Sequence, residues 1–365
     1  MHTTAVASDP LDLLALVPEL VGFEPRNSLV LVSLSGTRTS GTFRVDLPAE
    51  SLSSKETRHV ASTLAGMVGR LPDVDGLFAI VYTDDLVSDS AVRGRGPRAE
   101  LVSRLREAAR AIRLVVRGAY FVSPDAWGDY CGDPRSRDEL DEALELRRLD
   151  PDARPVRRSP EEEAELPVAD EDERERTRRA LASLRRDPTV PDPVWFARYS
   201  SGWTPDEIGA TTAALIADIL GEPSARDIVL FTWGWGEAVG EEALRFEDRF
   251  HRGEAVADDP MALALAGVGL ERPHVPSVVQ AIAMLRQTAA RLDGPDLAPV
   301  LASLGWLNWA IGRGSVAGEY VRRARAADFR YGFAELLEKI LGQGLLPEWA
   351  FDGATPAEDA QRRPA

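Results

Sequence analysis

The sequence predicts a mixed α/β sheet domain with covering helices, followed by an all-α, partly tetratricopeptide-like module. Two observations carry the first half. Apolar β-branched runs at Ser28–Leu34, Gly76–Tyr82 and Leu114–Val122 read as buried strands, and helical stripes separate them. One observation carries the second half: from Val194 onward the apolar spacing is almost entirely helical.

Leu13 to Pro48 organises the first half, with a short helix, a Gly22-Phe23-Glu24-Pro25 elbow and two apolar runs. SLVLVSL (Ser28–Leu34) suits a strand buried on both faces. Turn formers fill Ser35 to Gly41. Thr42 to Leu47 then alternates, with Phe43, Val45 and Leu47 on one face and Arg44 and Asp46 on the other. Pro48 ends that strand because it cannot donate to a ladder. An antiparallel hairpin at the heart of a sheet is the expectation.

Ser53 and Glu56 form a capping box ahead of Val60, Leu64, Met67, Val68 and Leu71, which share one helix face. Pro97 opens a second helix with Leu101, Leu105, Ala108 and Ile112 inward. After the strand ending at Val122, Ser123-Pro124-Asp125 turns and Ala126–Cys131 returns as an edge strand. Between Ser159 and Glu175 nine acidic residues face one arginine, a net of −8 and half of the formal charge of −16. Such a run is solvated or disordered as a rule, so 134–191 reads as an acidic connector with some helix, dividing an α/β domain (1–133) from a helical one (192–350). Residues 351–365 read as a disordered polar tail.

In the helical part, Thr204-Pro205 is an N-cap and N1 pair leading into Ile208–Leu220. DIVLFTWGW (Asp227–Trp235) fits a strand or a buried helix, and the helical surroundings favour helix. Val278, Ile282, Leu285, Ala289 and Leu292 mark another stripe. Leu301, Leu304, Gly305, Ala317, Val321 and Ala324 run parallel to the tetratricopeptide signature, with Gly312-Arg313-Gly314 as the turn. Leu301 and Asn308 replace its aromatic positions, so the match is partial. Tyr331–Leu341 would cap the pair.

The residues Asp12-Leu13-Leu14, Pro18, Gly22-Phe23, Pro25, Ser28-Leu29-Val30 and Arg44–Pro48 together resemble an actinobacterial family known as domain of unknown function 4192. Val81–Asp85 and Trp306–Trp309 fit it as well. The resemblance implies a shared fold and brings no activity with it.

Composition bounds the function. A net charge of −16 argues against general nucleic-acid binding, which needs a basic face. Two lysines against 41 arginines reflect coding composition. The single Cys131 allows no intramolecular disulfide, and a semi-buried inert thiol is expected there. MHTTAVASDP lacks the features of a signal peptide, and no apolar run reaches membrane-spanning length, so a cytoplasmic protein without membrane contact is expected. No motif calls for a cofactor or a metal. The glycines of Gly36–Gly41 and Gly234–Gly240 lack the residues that would complete a phosphate or dinucleotide site.

The best candidates for a ligand site are Asp84 and Asp85 at the end of a buried strand, with Arg44 and Asp46 as polar companions. Each also has a plain structural explanation: loop solvation for the first two, a surface ion pair for the others. Trp233, Trp235, Trp306 and Trp309 read as core. The leading functional expectation is a non-catalytic module binding a protein partner through its helices. The alternative is an enzyme or small-ligand binder using the acidic strand-end cleft.

Overall fold

The computed structural model describes residues 6–87, 96–151, 153, 156, 159–186, 191–256 and 259–351. The polar tail expected from 351 onward lies, past Phe351, outside them. The chain divides into two units, one up to Glu162 and the other from Glu163, each with its own core.

The first unit opens with α1 (Pro10–Val21), capped by the Asp9 carboxylate and ended by Gly22 in the left-handed region at φ 93°. Then follow β1 (Ser28–Ser35), β2 (Arg38–Asp46), α2 (Ser54–Gly69), β3 (Gly76–Tyr82), α3 (Ala99–Ala111), β4 (Val115–Val122), β5 (Ala126–Asp129), β6 (Arg135–Ser136) and α4 (Arg137–Arg148). The six strands form one sheet in the order β2-β1-β3-β4-β5-β6. Among the described strands only β3 and β4 run parallel, joined by the α3 crossover.

The period of two sorts the side chains onto two cores. Leu29, Leu31, Leu77, Ala79, Val81 and Phe121 meet α2 and α3 on one face. Val30, Val32, Ile80, Tyr120, Val122 and Trp127 meet α1 and α4 on the other. The capping box forms as expected, the Ser53 hydroxyl accepting from the Glu56 N–H while the Glu56 carboxylate accepts from the Ser53 N–H. Two expectations need correction. The β1–β2 hairpin lies at one side of the sheet, with β2 as its edge, because β1 takes β3 as its other neighbour. At the opposite side β5 stops at Asp129, and the two-residue β6 is the edge.

The stretch between the domains is divided. Helix α4 belongs to the first unit, with Leu140 in the core under α1 and Arg147 paired with Glu19. The single turn α5 (Pro160–Glu163) stands at the division. Helix α6 (Glu171–Leu184) packs on the second unit through Leu181. The acidic run is helical over much of its length, and Ala164 and Ala169 within it are buried.

The second unit continues with α7 (Pro193–Ser200), α8 (Ala210–Gly221), α9 (Pro223–Trp235), α10 (Glu237–His251), α11 (Val275–Ala290), α12 (Leu297–Ala310), α13 (Gly314–Ala327) and α14 (Gly332–Gly342). Helix α8 starts later than the sequence suggests: Pro205–Glu207 make a 3-10 turn, and Gly209 rather than Thr204 is the N-cap. The Asp227–Trp235 run is helical, within α9.

Helix α12 is buried from Ala298 to Ala310. It packs closely on α13, where a Cβ at Gly305 would come within 2.7 Å of a Val321 methyl. Its own Trp306 and Trp309 are buried, as are Trp233 and Trp349, each indole N–H donating to a protein oxygen. Such pairing removes the cost of burying an indole donor.

At the start of α9, Arg226 and Asp227 form a buried ion pair at 2.6 Å. Burial pushes the Asp227 carboxyl up from its ordinary 3.8 to about 6, the adjacent Arg226 guanidinium opposing the rise. The folded chain therefore holds this proton at pH values where the unfolded chain has released it. As pH falls from about 6 toward about 4, wild type should gain stability relative to Asp227→Asn. Urea midpoints of the two proteins across that range check this, and a flat difference would exclude the shift.

Candidate functional site

Strands β3 and β4 end together, the Thr83 N–H extending their ladder by donating to the Val122 carbonyl at 3.0 Å. Open α/β sheets gather ligands at such carboxyl ends. Here the chain beyond β3 turns through Asp84 and Asp85. The Thr83 hydroxyl donates to the Asp85 carboxylate at 2.8 Å and accepts from the Asp85 N–H at 3.1 Å. Asn27, before β1, holds Asp84 with both ends of its amide: the NH2 donates to the Asp84 carboxylate, and the oxygen accepts from the Asp84 N–H at 3.0 Å. The Asn27 carbonyl also accepts from the Leu47 N–H at 2.8 Å. This one residue, at φ 39°, ties the start of β1 to the ends of β2 and β3.

Asp84 and Asp85 line a cleft of about 840 Å³, together with Pro48, Glu50, Arg98 and Glu100 among others. That is ample for a small ligand. Arg98, the N-cap of α3 at φ 59°, donates to the Pro48 carbonyl at 2.9 Å and lies 3.5 Å from the Glu50 carboxylate. Nearby, the Tyr130 hydroxyl donates to the Pro97 carbonyl and its ring meets Phe121 edge-on at 5.6 Å, fixing the entry to α3. Four carboxylates against one guanidinium make the lining electronegative. Among the described residues no group of three or more His, Cys, Asp or Glu could hold a metal ion.

Arg44 and Asp46 do not line this cleft. They pair with each other at 2.7 Å on β2, and Arg44 donates to the Arg26 carbonyl at 3.2 Å beside the Phe23 ring. Alternation explains the separation. Phe43, Val45 and Leu47 take the face toward α2 and α3, where the cleft opens, so Arg44 and Asp46 take the other. Of the four sequence candidates, the structure brings Asp84 and Asp85 into the cleft and keeps Arg44 with Asp46. Cys131 is exposed rather than semi-buried, with both terminal nitrogens of Arg106 at 3.7 Å from its sulfur.

Two features escaped the sequence reading. Asn27 had a faint signal, since asparagine before a strand suits a left-handed turn. The other lies on the helical unit. Helix α7 turns Val194, Phe196, Ala197 and Ser200 inward and leaves Trp195 and Tyr199 at 55% and 60% exposure. Their rings stack at 5.1 Å with planes 7° apart, and Trp203 meets Tyr199 edge-on at 6.0 Å. The helix beneath is firmly held. Asp192 caps it at the Trp195 N–H, and Ser200 accepts from the buried Trp233 indole at 3.0 Å. The i, i+4 spacing of Trp195 and Tyr199 was legible, but spacing alone does not tell an outward pair from an inward one.

The family described as Domain of unknown function (DUF4192) matches residues 10–139 and 234–348, more than half of the chain. The chain belongs to this family. Its two matched segments cover the sheet with its helices through the start of α4, and the helical unit from the end of α9 to the last helix. No curated protein and no solved structure matches the chain.

Removing the Asn27 amide should loosen the cleft. Asn27→Ala is expected to cost about 1–2 kcal/mol, from two lost hydrogen bonds and a left-handed backbone position less suited to alanine. Asn27→Gly keeps the backbone and loses only the amide, so it should fall between. Urea unfolding of the three proteins ranks them, and wild-type stability in Asn27→Ala would exclude the role.

Proposed function

We propose that this is a cytoplasmic docking protein whose helical unit holds a protein partner on the α7 aromatic platform. The observation that carries the reading is the parallel Trp195–Tyr199 stack, more than half exposed on a helix whose other face is anchored in a core. Aromatic side chains of this kind supply much contact area at small entropic cost and dominate protein–protein hot spots. The α12–α13 hairpin, with small residues matching part of the tetratricopeptide signature, supports the same reading. No helix among the described residues is long and apolar enough to cross a membrane.

A photoreactive amino acid at position 195, in cells that naturally carry the protein, should give a discrete cross-linked species, while the same group at position 339 should not. Tyr199→Ala should abolish that species without moving the melting temperature, because the side chain is exposed. Equal cross-linking from both positions, or none, would overturn the platform.

A second reading is favoured by the strand-end cleft and its charge: the α/β unit binds a small cationic ligand, such as an amine or a guanidino compound, beside Asp84 and Asp85. Thermal melts with a panel of polyamines, amino acids and divalent cations test it. A ligand specific to the folded state stabilises by about 2.7 kcal/mol at a hundredfold excess over its Kd, and Asp84→Asn/Asp85→Asn should cancel the shift. A shift that persists in the double variant places the ligand elsewhere.

A further inference from the structure

The helical unit contains a second concavity, of about 440 Å³, at the starts of α9 and α14. Its floor and walls are largely apolar, from Pro223, Leu265, Phe333 and Leu336. One end is polar. Arg226, only 6% exposed, lines it with its guanidinium 4.0 Å above the Phe333 ring. Two partners hold that guanidinium: the Asp227 carboxylate, and the Tyr331 hydroxyl, which accepts from Nη1 at 2.8 Å. These bonds use only part of the donor fork, and the rest has no acceptor among the described residues. Each of the three nitrogens thus has a partner, and the second N–H of Nη1 and of Nη2, in the cavity wall, remains for a ligand that accepts from it.

The surrounding groups define the charge of that ligand. Arg330 also lines the cavity, lies against the Phe329 ring, and has no carboxylate within ion-pair distance among the described residues. The Tyr331 hydroxyl, having accepted from Arg226, still has its own proton to donate, and burial keeps the phenol protonated by raising its pKa. Helices α9 and α14 both begin at the cavity, and neither N-cap side chain accepts from its own helix, so both dipoles present their positive ends. Against these stand Asp227, already bound to Arg226, and Asp328, which accepts from the Arg330 N–H at 2.9 Å. Of the charged groups only Arg226, Arg330 and Asp328 line the cavity, a net of one positive charge, while Asp227 and the Glu247 carboxylate that acts on it do not. The helix ends and free donors then favour one added negative charge, and a doubly charged group would meet Asp328 uncompensated.

We infer that this cavity binds the carboxylate of a small apolar acid, with Arg226, Arg330 and Tyr331 donating to the head group and Phe333 and Leu336 covering its body. The arrangement matches the forked, charge-assisted recognition at which arginine excels. It is independent of the α7 platform and of the strand-end cleft.

Benzoate is a suitable probe, titrated into the full-length protein by calorimetry beside benzamide and inorganic phosphate. Saturable binding of one benzoate per chain is expected, with no response to benzamide. Arg330→Gln should weaken it about tenfold or more, through loss of a charge-assisted hydrogen bond. Leu336→Glu, which sets a carboxylate at the mouth, should abolish it. Both positions are exposed, so circular dichroism and melting should match wild type. Benzamide binding as well as benzoate would overturn the inference, as would phosphate competing on equal terms, an unaltered titration in both variants, or no heat at all.

Discussion

Some elements of this chain have no face to offer to water, and that constraint shapes both units. Strand β1 is buried on both sides from Ser28 to Leu34, so it needs a strand at each edge and helices above and below. Helix α12 is buried all round, so it needs a jacket of helices. In the first unit the jacket is α1 and α4 on one side and α2 and α3 on the other. In the second, α8, α11, α13 and α14 pack on α12. Of the polar groups that go inside with them, the indole donors of Trp306, Trp309 and Trp349 are satisfied locally, whereas the Ser28 hydroxyl on β1 has no partner among the described residues.

Periodicity made much of this legible. The continuous apolar run at Ser28–Leu34 marked a strand covered on both faces, and the alternation at Thr42–Leu47 separated Phe43 and Val45 from Arg44 and Asp46. The turn Gly312-Arg313-Gly314 stands where the spacing placed it, between α12 and α13. What was not legible concerns partners distant in sequence. Alternation says which face a strand shows but not which strand lies beside it, so the hairpin could not be placed at the edge. The start of α8 depended on whether Thr204 or Gly209 capped it, and Pro205–Glu207 instead closed a 3-10 turn of their own.

The candidate sites divide along the same line. Asp84 and Asp85 were visible because a strand end has a sequence signature, yet nothing in the sequence ties Asn27 to Asp84, 57 residues away. Arg226 and Asp227 are adjacent in sequence, but their surroundings include Tyr331 and Phe333 at the start of α14, five helices further along the chain. The Trp195–Tyr199 stack shows the converse. Its residue types look like core, and only the burial of Phe196 and Ala197 beneath them turns the pair outward.

Trp349 gives the helical unit a fixed order of completion. Its indole N–H donates to the Ala310 carbonyl at the end of α12, and its ring packs against Trp235 and Trp309. The Glu348 N–H beside it donates to the Gly267 carbonyl. A nascent chain emerging from the ribosome thus displays the apolar flanks of α9 and α12 until the residues through Trp349 have cleared the exit tunnel. The sheet unit, complete by Arg148, can close long before that. The two halves of one polypeptide are therefore exposed to chaperones and proteases for very different lengths of time during synthesis.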